Sequence, residues 1–523
     1  MAKDARVDAI DKFDLSVIRE RRRRGEKVRF KDVAVGASGD VSVVVDGGNA
    51  EVQRSDLARV SVTEEGSARL IDCDAAEIYV ASGSTVEITD SSVEHIRSVR
   101  SIVTLRRSAV RPVWKDNKLH YHPPGISIEE GSTLQLLDDS EVDVSSRNNL
   151  SGSAEGRALV AKDSRVEVDG GKVLGLRAAA ITQVGGSAAL RNAEIVRHPT
   201  ASELSMEASG EATVDSVETS FVGRVSVGDA RATFTNTSFK GGLTASNAVV
   251  VLADCNVTTG SVDVDERTDL SWSGGNLNKG LEVAGQDVCV DVTGVVVGGS
   301  SRVDAVGVLK LTNCEFRGAL SVAGDLDVTM TRVHAGAMTL ASAAMVHDST
   351  TRNVIVGPVD VEMSNSQVSG HIEVGDGGHA TLSRCGFKSG TLAVRGGGRA
   401  TVRDCEFDEV TAKGDGPNDA GLVVAERGAL EMIGGAVRSP AQIKAPMLRL
   451  TRAAKEKAAR LAGLGGARVL SVHTGGRARF EHVEFSDLGS DPVLLASGSE
   501  VRFEDCTLDG SSWQPGRWPR RPD

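Results

Sequence analysis

The chain has 523 residues, of which 58 are glycine and 3% are aromatic, and its formal net charge is −12 at pH 7. This acidic balance argues against non-specific nucleic-acid binding by the body of the protein. No stretch reaches the ~18 apolar residues of a membrane span. Frequent glycine without a collagen period indicates closely spaced turns.

The N-terminal segment is charged and lacks the apolar core of a secretory signal, so we expect none. Within residues 4–24, Val7, Ile10, Phe13 and Val17 recur at helical spacing. We predict an amphipathic helix that caps the open end of the domain that follows. We interpret the arginine run after it as solvated charge, and binding to nucleic acid or an acidic partner is the alternative. That run is Arg21, Arg22, Arg23 and Arg24.

From residue 25 onward one phrase recurs about 22 times, at intervals of roughly 17–23 residues, which is typical of a solenoid. The phrase is Gly-x-x-apolar-x-apolar-x-x-small-x-apolar. Other repeats place Ser, Thr, Val or Gly at the small position, and we assign Gly294, Thr331 and Gly435 to it. Six cysteines occupy the same position: Cys73, Cys255, Cys314, Cys385, Cys405 and Cys506.

Within each repeat, apolar and polar residues alternate, as in Thr85-Val86-Glu87-Ile88. This period of two predicts short half-buried strands, two or three to a coil, and therefore an all-β parallel solenoid. The small residues would stack in a buried structural column, where cysteine acts as a small hydrophobe. A serine or threonine there would need a hydrogen-bond partner, which a neighbouring turn carbonyl could supply.

The phrases GRATVRDCEF, GVLKLTNCEF and GSEVRFEDCTL resemble coils of the right-handed parallel β-helix superfamily, the pectate-lyase-like group. The resemblance covers about residues 25–510 and implies a single-stranded right-handed β-helix of about 20–22 coils. Many members are polysaccharide lyases, hydrolases or epimerases. Of the polygalacturonase-like motifs only Asp138-Asp139 has a counterpart here, so we predict a non-catalytic branch with no catalytic residues. Asp72, Asp254, Asp404 and Asp505, which precede small positions, are interpreted as turn residues.

Insertions interrupt the repeat. Residues 111–125 contain Trp114, His120, Tyr121 and His122, which we interpret as a surface loop or a ledge for a ligand or partner. The His-x-His pair suggests a metal as the alternative, but no third ligand is evident, and we predict no metal site. Residues 144–157 and 411–420 are polar loops of turn-forming residues.

A longer insertion at 438–466 contains a predicted helix near 447–463, rich in Ala, Leu and basic residues. We expect it to lie along the protein, with partner docking as the alternative. Its basic residues are Arg449, Arg452, Lys455, Lys457 and Arg460. The predicted organisation is a cap at 1–24, a β-helix at 25–437, the insertion at 438–466, final coils at 467–510 and a tail at 511–523.

Seven cysteines without a signal sequence favour reduced thiols, so we expect a cytoplasmic protein without cofactor. We predict a non-catalytic scaffold that binds another protein, and self-association stays open. The first alternative is a carbohydrate-active enzyme or a phage-tail-like glycan binder. The second alternative is a nucleic-acid-associated protein that uses the basic segments. A membrane partner is not expected.

Overall fold

The computed structural model describes residues 5–8, 28–31, 42–112, 124–144, 157–175, 178–197, 204–388, 390–408, 422–425, 427–438, 470–472, 475–486, 493–495, 499–508 and 511–512. These residues form an all-β parallel solenoid of about 19 turns, which confirms the predicted fold class. In this part of the chain there is no helix, and hence no helical membrane span. The chain divides into two compact units, unit 1 (Met1–Lys279) and unit 2 (Gly280–Asp523).

Short strands follow one another through unit 1. They are β1 (Ala5–Asp8), β2 (Val28–Lys31), β3 (Ser42–Asp46), β4 (Asn49–Gln53), β5 (Asp56–Thr63), β6 (Ser67–Ile71), β7 (Asp74–Ala81), β8 (Thr85–Thr89), β9 (Ser92–Val99), β10 (Ile102–Arg106), β11 (Ala109–Val110), β12 (Ile126–Glu129), β13 (Thr133–Leu137), β14 (Glu141–Asp143), β15 (Leu159–Lys162), β16 (Arg165–Asp169), β17 (Lys172–Leu174), β18 (Ile181–Val184), β19 (Ser187–Arg191), β20 (Glu194–Val196), β21 (Leu204–Ser209), β22 (Thr213–Val217), β23 (Ser220–Val222), β24 (Arg224–Gly228), β25 (Arg231–Thr235), β26 (Ser238–Phe239), β27 (Leu243–Ser246), β28 (Val249–Val257), β29 (Val262–Val264) and β30 (Asp269–Leu277).

The strands of unit 2 continue the numbering. They are β31 (Leu281–Thr293), β32 (Val296–Val297), β33 (Ser301–Thr312), β34 (Glu315–Thr331), β35 (His334–Ala341), β36 (Ala344–His347), β37 (Thr350–Val356), β38 (Asp360–Ser364), β39 (Gln367–Val368), β40 (His371–Val374), β41 (His379–Ser383), β42 (Gly386–Lys388), β43 (Thr391–Val394), β44 (Arg399–Arg403), β45 (Glu406–Asp408), β46 (Leu422–Val424), β47 (Ala429–Ile433), β48 (Ala436–Arg438), β49 (Leu470–Val472), β50 (Arg477–Glu481), β51 (Glu484–Ser486), β52 (Val493–Leu495), β53 (Glu500–Glu504), β54 (Thr507–Leu508) and β55 (Ser511–Ser512).

Each turn of the solenoid supplies three strand positions, which stack on the next turn as three parallel ladders. In the turn that begins with β41, the strand β41 pairs with β44 in ladder A, β42 pairs with β45 in ladder B, and β43 pairs with β46 in ladder C. The chain passes from A to B through a sharp corner at the small position, then from B to C, and returns to A through a turn. The turns are in register, so residues at equivalent positions form columns.

The alternating pattern explains the core. Along β41 the side chains of Ala380 and Leu382 are buried, while the residues between them face outward. Aliphatic residues fill most inward positions, as predicted from the low aromatic content. Where phenylalanines occur on adjacent turns they stack, as in the Phe387–Phe407 pair with ring centroids 4.1 Å apart. Stacked rings combine burial with a favourable aromatic contact.

Residues near both chain ends form strands that pair with the solenoid. The helix predicted at 4–24 is wrong for Ala5–Asp8, which form β1 and pair in parallel with β2. The sequence Ala-Arg-Val-Asp alternates apolar and polar residues, and this local period of two matches the strand that it pairs with. The rest of that segment, with Arg21–Arg24, and the helix near 447–463 lie outside the described residues. At the other end β55 pairs antiparallel with β54.

Candidate interaction surface

The six cysteines of the repeat are buried at the corner between ladders A and B. The residue before each small position has positive φ, for example 53° at Asp72 and 51° at Asp404. This left-handed conformation is the one that Asp, Asn and Gly adopt most readily. Asp254 and Asp505 share it, at 52° and 47°, so these aspartates shape the turns, as predicted.

Hydroxyl groups in the column link consecutive turns. Ser91 Oγ donates a hydrogen bond to the carbonyl oxygen of Thr89 at 2.7 Å and accepts one from the amide of Cys73 at 3.0 Å. Ser108 Oγ likewise donates to the Arg106 carbonyl at 2.8 Å and accepts from the Ser91 amide at 3.2 Å. The turn carbonyl expected from the sequence is therefore confirmed as the partner. The bond to the previous turn was not predicted.

The Cys73, Cys255 and Cys314 thiols are poor nucleophiles, because the reactive form of cysteine is the thiolate. Burial raises the pKa of the Cys255 thiol to about 11 and raises the pKa of Cys73 and Cys314 as well. Cys405 Sγ accepts a hydrogen bond from the Cys385 amide at 3.3 Å. Its thiol also interacts with the Cys385 thiol, and that interaction together with burial raises the pKa of Cys405. These features suit a packing position.

Two assignments to the small position are wrong. The Glu315 amide donates to the carbonyl of Val295, and the Thr350 amide donates to that of Val333, so these valines stand in the column in place of Gly294 and Thr331. Valine is larger than the Cys, Ser, Thr or Gly that marks most other repeats. The sequence signal was therefore weak at these turns.

Gly435 does occupy the position, but its φ is +88°, and a Cβ atom there would lie 2.1 Å from the Cys405 carbonyl oxygen. The small position is consequently not freely exchangeable at every turn.

Three long connections of unit 1 join ladder B to ladder C, and we term this corner the insertion corner. Residues 113–123 connect β11 with β12, residues 145–156 connect β14 with β15, and residues 198–203 connect β20 with β21. The strands before the insertions pair in the order β11, β14, β17, β20, and those after them in the order β12, β15, β18, β21. The first two insertions are therefore anchored on strands that pair directly, and the turn of β17 and β18 lies between the second and the third.

Unit 2 repeats this arrangement. Residues 409–421 connect β45 with β46, residues 439–469 connect β48 with β49, and residues 487–492 connect β51 with β52. The strands on each side again pair directly. Elsewhere the same corner is short: a single residue separates β23 from β24. The sequence revealed four of these insertions but neither 198–203 nor 487–492. It also did not reveal their common corner, because the assignment of each flanking strand to a ladder requires the register.

The predicted site residues on these insertions lie outside the described residues. They are Trp114, His120, Tyr121, His122, Arg449, Arg452, Lys455, Lys457 and Arg460. In the ranges that the structure describes, no group of three or more His, Cys, Asp or Glu side chains is arranged to hold a metal. Asp138 and Asp139 occupy two consecutive left-handed positions, with φ of 55° and 62°. The Arg106 guanidinium donates to the Asp138 carboxylate at 2.9 Å.

An outward surface feature of unit 2 was missed in the sequence. On ladder A the first residues of successive strands form the column His379, Arg399, Ala429 and Arg477. The small side chain of Ala429 leaves a notch between two arginines. Three glutamates contact Arg479 on the same face: Glu504 at 2.8 Å, Glu481 at 3.1 Å and Glu431 at 3.2 Å. Alignment of the turns by their ladder A strands would have revealed this column.

Scans against protein-family models and against curated proteins found no match for the chain.

Proposed function

We propose that the protein is a non-catalytic β-solenoid scaffold of the cytoplasm and that it binds another protein through its insertion corner. The observation that carries the proposal is that long connections in each unit join ladder B to ladder C at the same corner, on turns that lie close together. Insertions in a solenoid project from one face, which is often the binding face. Strand neighbours are about 4.8 Å apart, so consecutive insertions can contact one partner together. We further propose membership of the right-handed β-helix superfamily, in a non-catalytic branch.

The placement of aromatic residues supports a protein partner over a sugar. Sugar-binding grooves stack pyranose faces on exposed aromatic rings, whereas eight aromatic side chains of the described residues are fully buried in the core. They are Trp272, Phe221, Phe234, Phe239, Phe316, Phe387, Phe407 and Phe480.

The carboxylates at the turns support a non-catalytic role. Glycoside hydrolysis needs two carboxylates placed on either side of the bond that is cleaved. Asp72, Asp254, Asp404 and Asp505 instead occupy the equivalent left-handed corner of four different turns, which is the distribution of a structural residue.

An affinity pull-down from lysate of the source organism tests the proposal. The wild-type chain should retain a specific protein. A variant in which residues 113–123 and 439–469 are replaced by short Gly-Ser linkers should lose it. The matched control is Ala253→Glu on ladder A, far in sequence from both insertions, which should retain the same protein. Retention of the partner by the linker variant, or depolymerisation of a glycan by the purified chain, would overturn the proposal.

A further inference from the structure

The notch over Ala429 has an excess of positive charge on one side. Arg399 points outward from β44, and no carboxylate of the described residues lies at ion-pair distance from it. On the other side Arg477 contacts Glu500 at 3.5 Å, with side chains that are 77% and 73% exposed. An ion pair this exposed contributes little and is readily exchanged for another partner.

The geometry suits one carboxylate. Arg399 and Arg477 lie two turns apart, so their backbones are separated by about 10 Å, twice the strand spacing. Ala429 lies between them in register and is only half-buried. Two long guanidinium side chains can therefore converge above the alanine methyl group. Arginine binds carboxylates through paired, charge-assisted hydrogen bonds.

The surrounding charges favour a protein segment over a polyanion. Glu431, Glu481, Glu500 and Glu504 share this face of ladder A with the arginines. A nucleic acid presents a phosphate at every step and would meet these glutamates as well as the arginines. A polypeptide can place one acidic side chain in the notch and neutral or basic side chains over the glutamates.

We propose that the notch formed by Arg399, Ala429 and Arg477 binds an acidic side chain of the partner protein, presented by a segment in which acidic and basic residues alternate. This inference rests on the proposed scaffold function and specifies one contact of the partner. The notch belongs to the turn of β47 and β48, and the insertion at 439–469 leaves the solenoid from the end of β48. One partner can thus engage both features of the turn.

The substitution Ala429→Glu tests the notch, because it places an intramolecular carboxylate between the two arginines. The probe is a fluorescein-labelled peptide of repeating Glu-Ser-Lys-Ser units, measured by fluorescence anisotropy at low salt. Its affinity should fall about tenfold in Ala429→Glu, equivalent to the loss of one charge-assisted contact. Arg399→Gln should weaken binding by a similar factor. The matched control Ala253→Glu, an outward ladder A position between Thr235 and Ser273, should leave the affinity unchanged.

Several outcomes would contradict the binding of an acidic side chain at the notch. They are equal binding of a Gln-Ser-Lys-Ser peptide, unchanged affinity in Ala429→Glu, or stronger binding of an oligouridylate than of the peptide. The pull-down separates this inference from the proposed function. If Ala429→Glu retains the partner and the linker variant loses it, the notch does not bind the partner, and the proposed scaffold function is still supported. If peptide binding depends on Ala429 but the pull-down captures no protein, the scaffold function is contradicted, and carboxylate binding at the notch is still supported.

Discussion

Gly435 is the residue at which the repeat pattern and the structure give opposite expectations for substitution by serine. By the repeat pattern Gly435→Ser is harmless, because serine occupies the same position in other turns. In the structure the φ of Gly435 is +88°, a region that costs an L-residue about 1–2 kcal/mol. A Cβ atom would also lie 2.1 Å from the Cys405 carbonyl oxygen. Relief of that contact requires a backbone shift, which costs a further ~1–3 kcal/mol.

We therefore expect Gly435→Ser to lower the free energy of unfolding by about 2–5 kcal/mol. Urea denaturation gives the global value. Because solenoids open locally, hydrogen exchange gives the local value. The amides to follow are those of Ala436 and Glu484, which donate to the carbonyls of Cys405 and Gly435, both at 3.0 Å. Both amides should exchange faster in the variant.

The neighbouring residue provides the matched control. Gly434 also has positive φ, +68°, but it stands at the left-handed position that asparagine and aspartate occupy in other turns. A Cβ atom there meets the Asp404 carboxylate, which is the free end of a side chain and can move. Gly434→Asn should change stability by less than about 1 kcal/mol. Gly435→Ser with wild-type stability and exchange would show that the positive φ imposes no constraint and would refute the reasoning.

Three further predictions follow from the column and the surface. Ser91→Ala should cost about 1–3 kcal/mol in urea unfolding, because the buried Cys73 amide loses its acceptor and the Thr89 carbonyl loses one of its two donors, while Ser91→Cys should cost less. In the native protein a thiol reagent at pH 8 should modify Cys289, which is exposed, much faster than the buried column cysteines, and mass spectrometry of the labelled peptides would reveal any other order. The Arg107 guanidinium lowers the pKa of Asp90 below its ordinary value of 3.8, so the stabilisation from this pair is lost only as the pH falls through that lowered pKa. Carbon-13 NMR should give a midpoint below 3.8 for Asp90 and a higher one in Arg107→Gln, and equal midpoints would contradict the assignment.

The fold could be predicted from the sequence because nearly every turn repeats the same short sequence pattern. Alternation fixes the inward positions, as at Ala380 and Leu382 in β41. An Asp or Asn before the small residue marks the left-handed corner, as at Asp404. Since these signals agree at each turn, an error in one turn does not disturb the assignment of the next. The parallel pairing then follows from the period alone.

The errors arose where a local pattern was weak or had two interpretations. At Val333 the small position holds a larger residue, and the nearby Thr331 resembled the expected residue more closely. At the N-terminus the residues from Val7 onward fit a helical period, whereas Ala5–Asp8 alone fit a period of two and form β1. Pairing with β2 decides between the two periods, and this pairing is long-range information that a local pattern does not contain.

The location of the insertions follows from what each corner must bury. At the corner between ladders A and B the small residue is buried, and its carbonyl bonds to an adjacent turn, as Cys405 does with the Ala436 amide. An insertion there would interrupt the column of buried small residues and its hydrogen bonds to both adjacent turns. At the insertion corner, turns without an insertion bring backbones together instead, as where a Cβ on Gly260 would lie 2.3 Å from the Gly241 carbonyl oxygen. The entropy of closing a longer loop grows slowly with its length. Longer connections at the insertion corner therefore leave the column between ladders A and B intact.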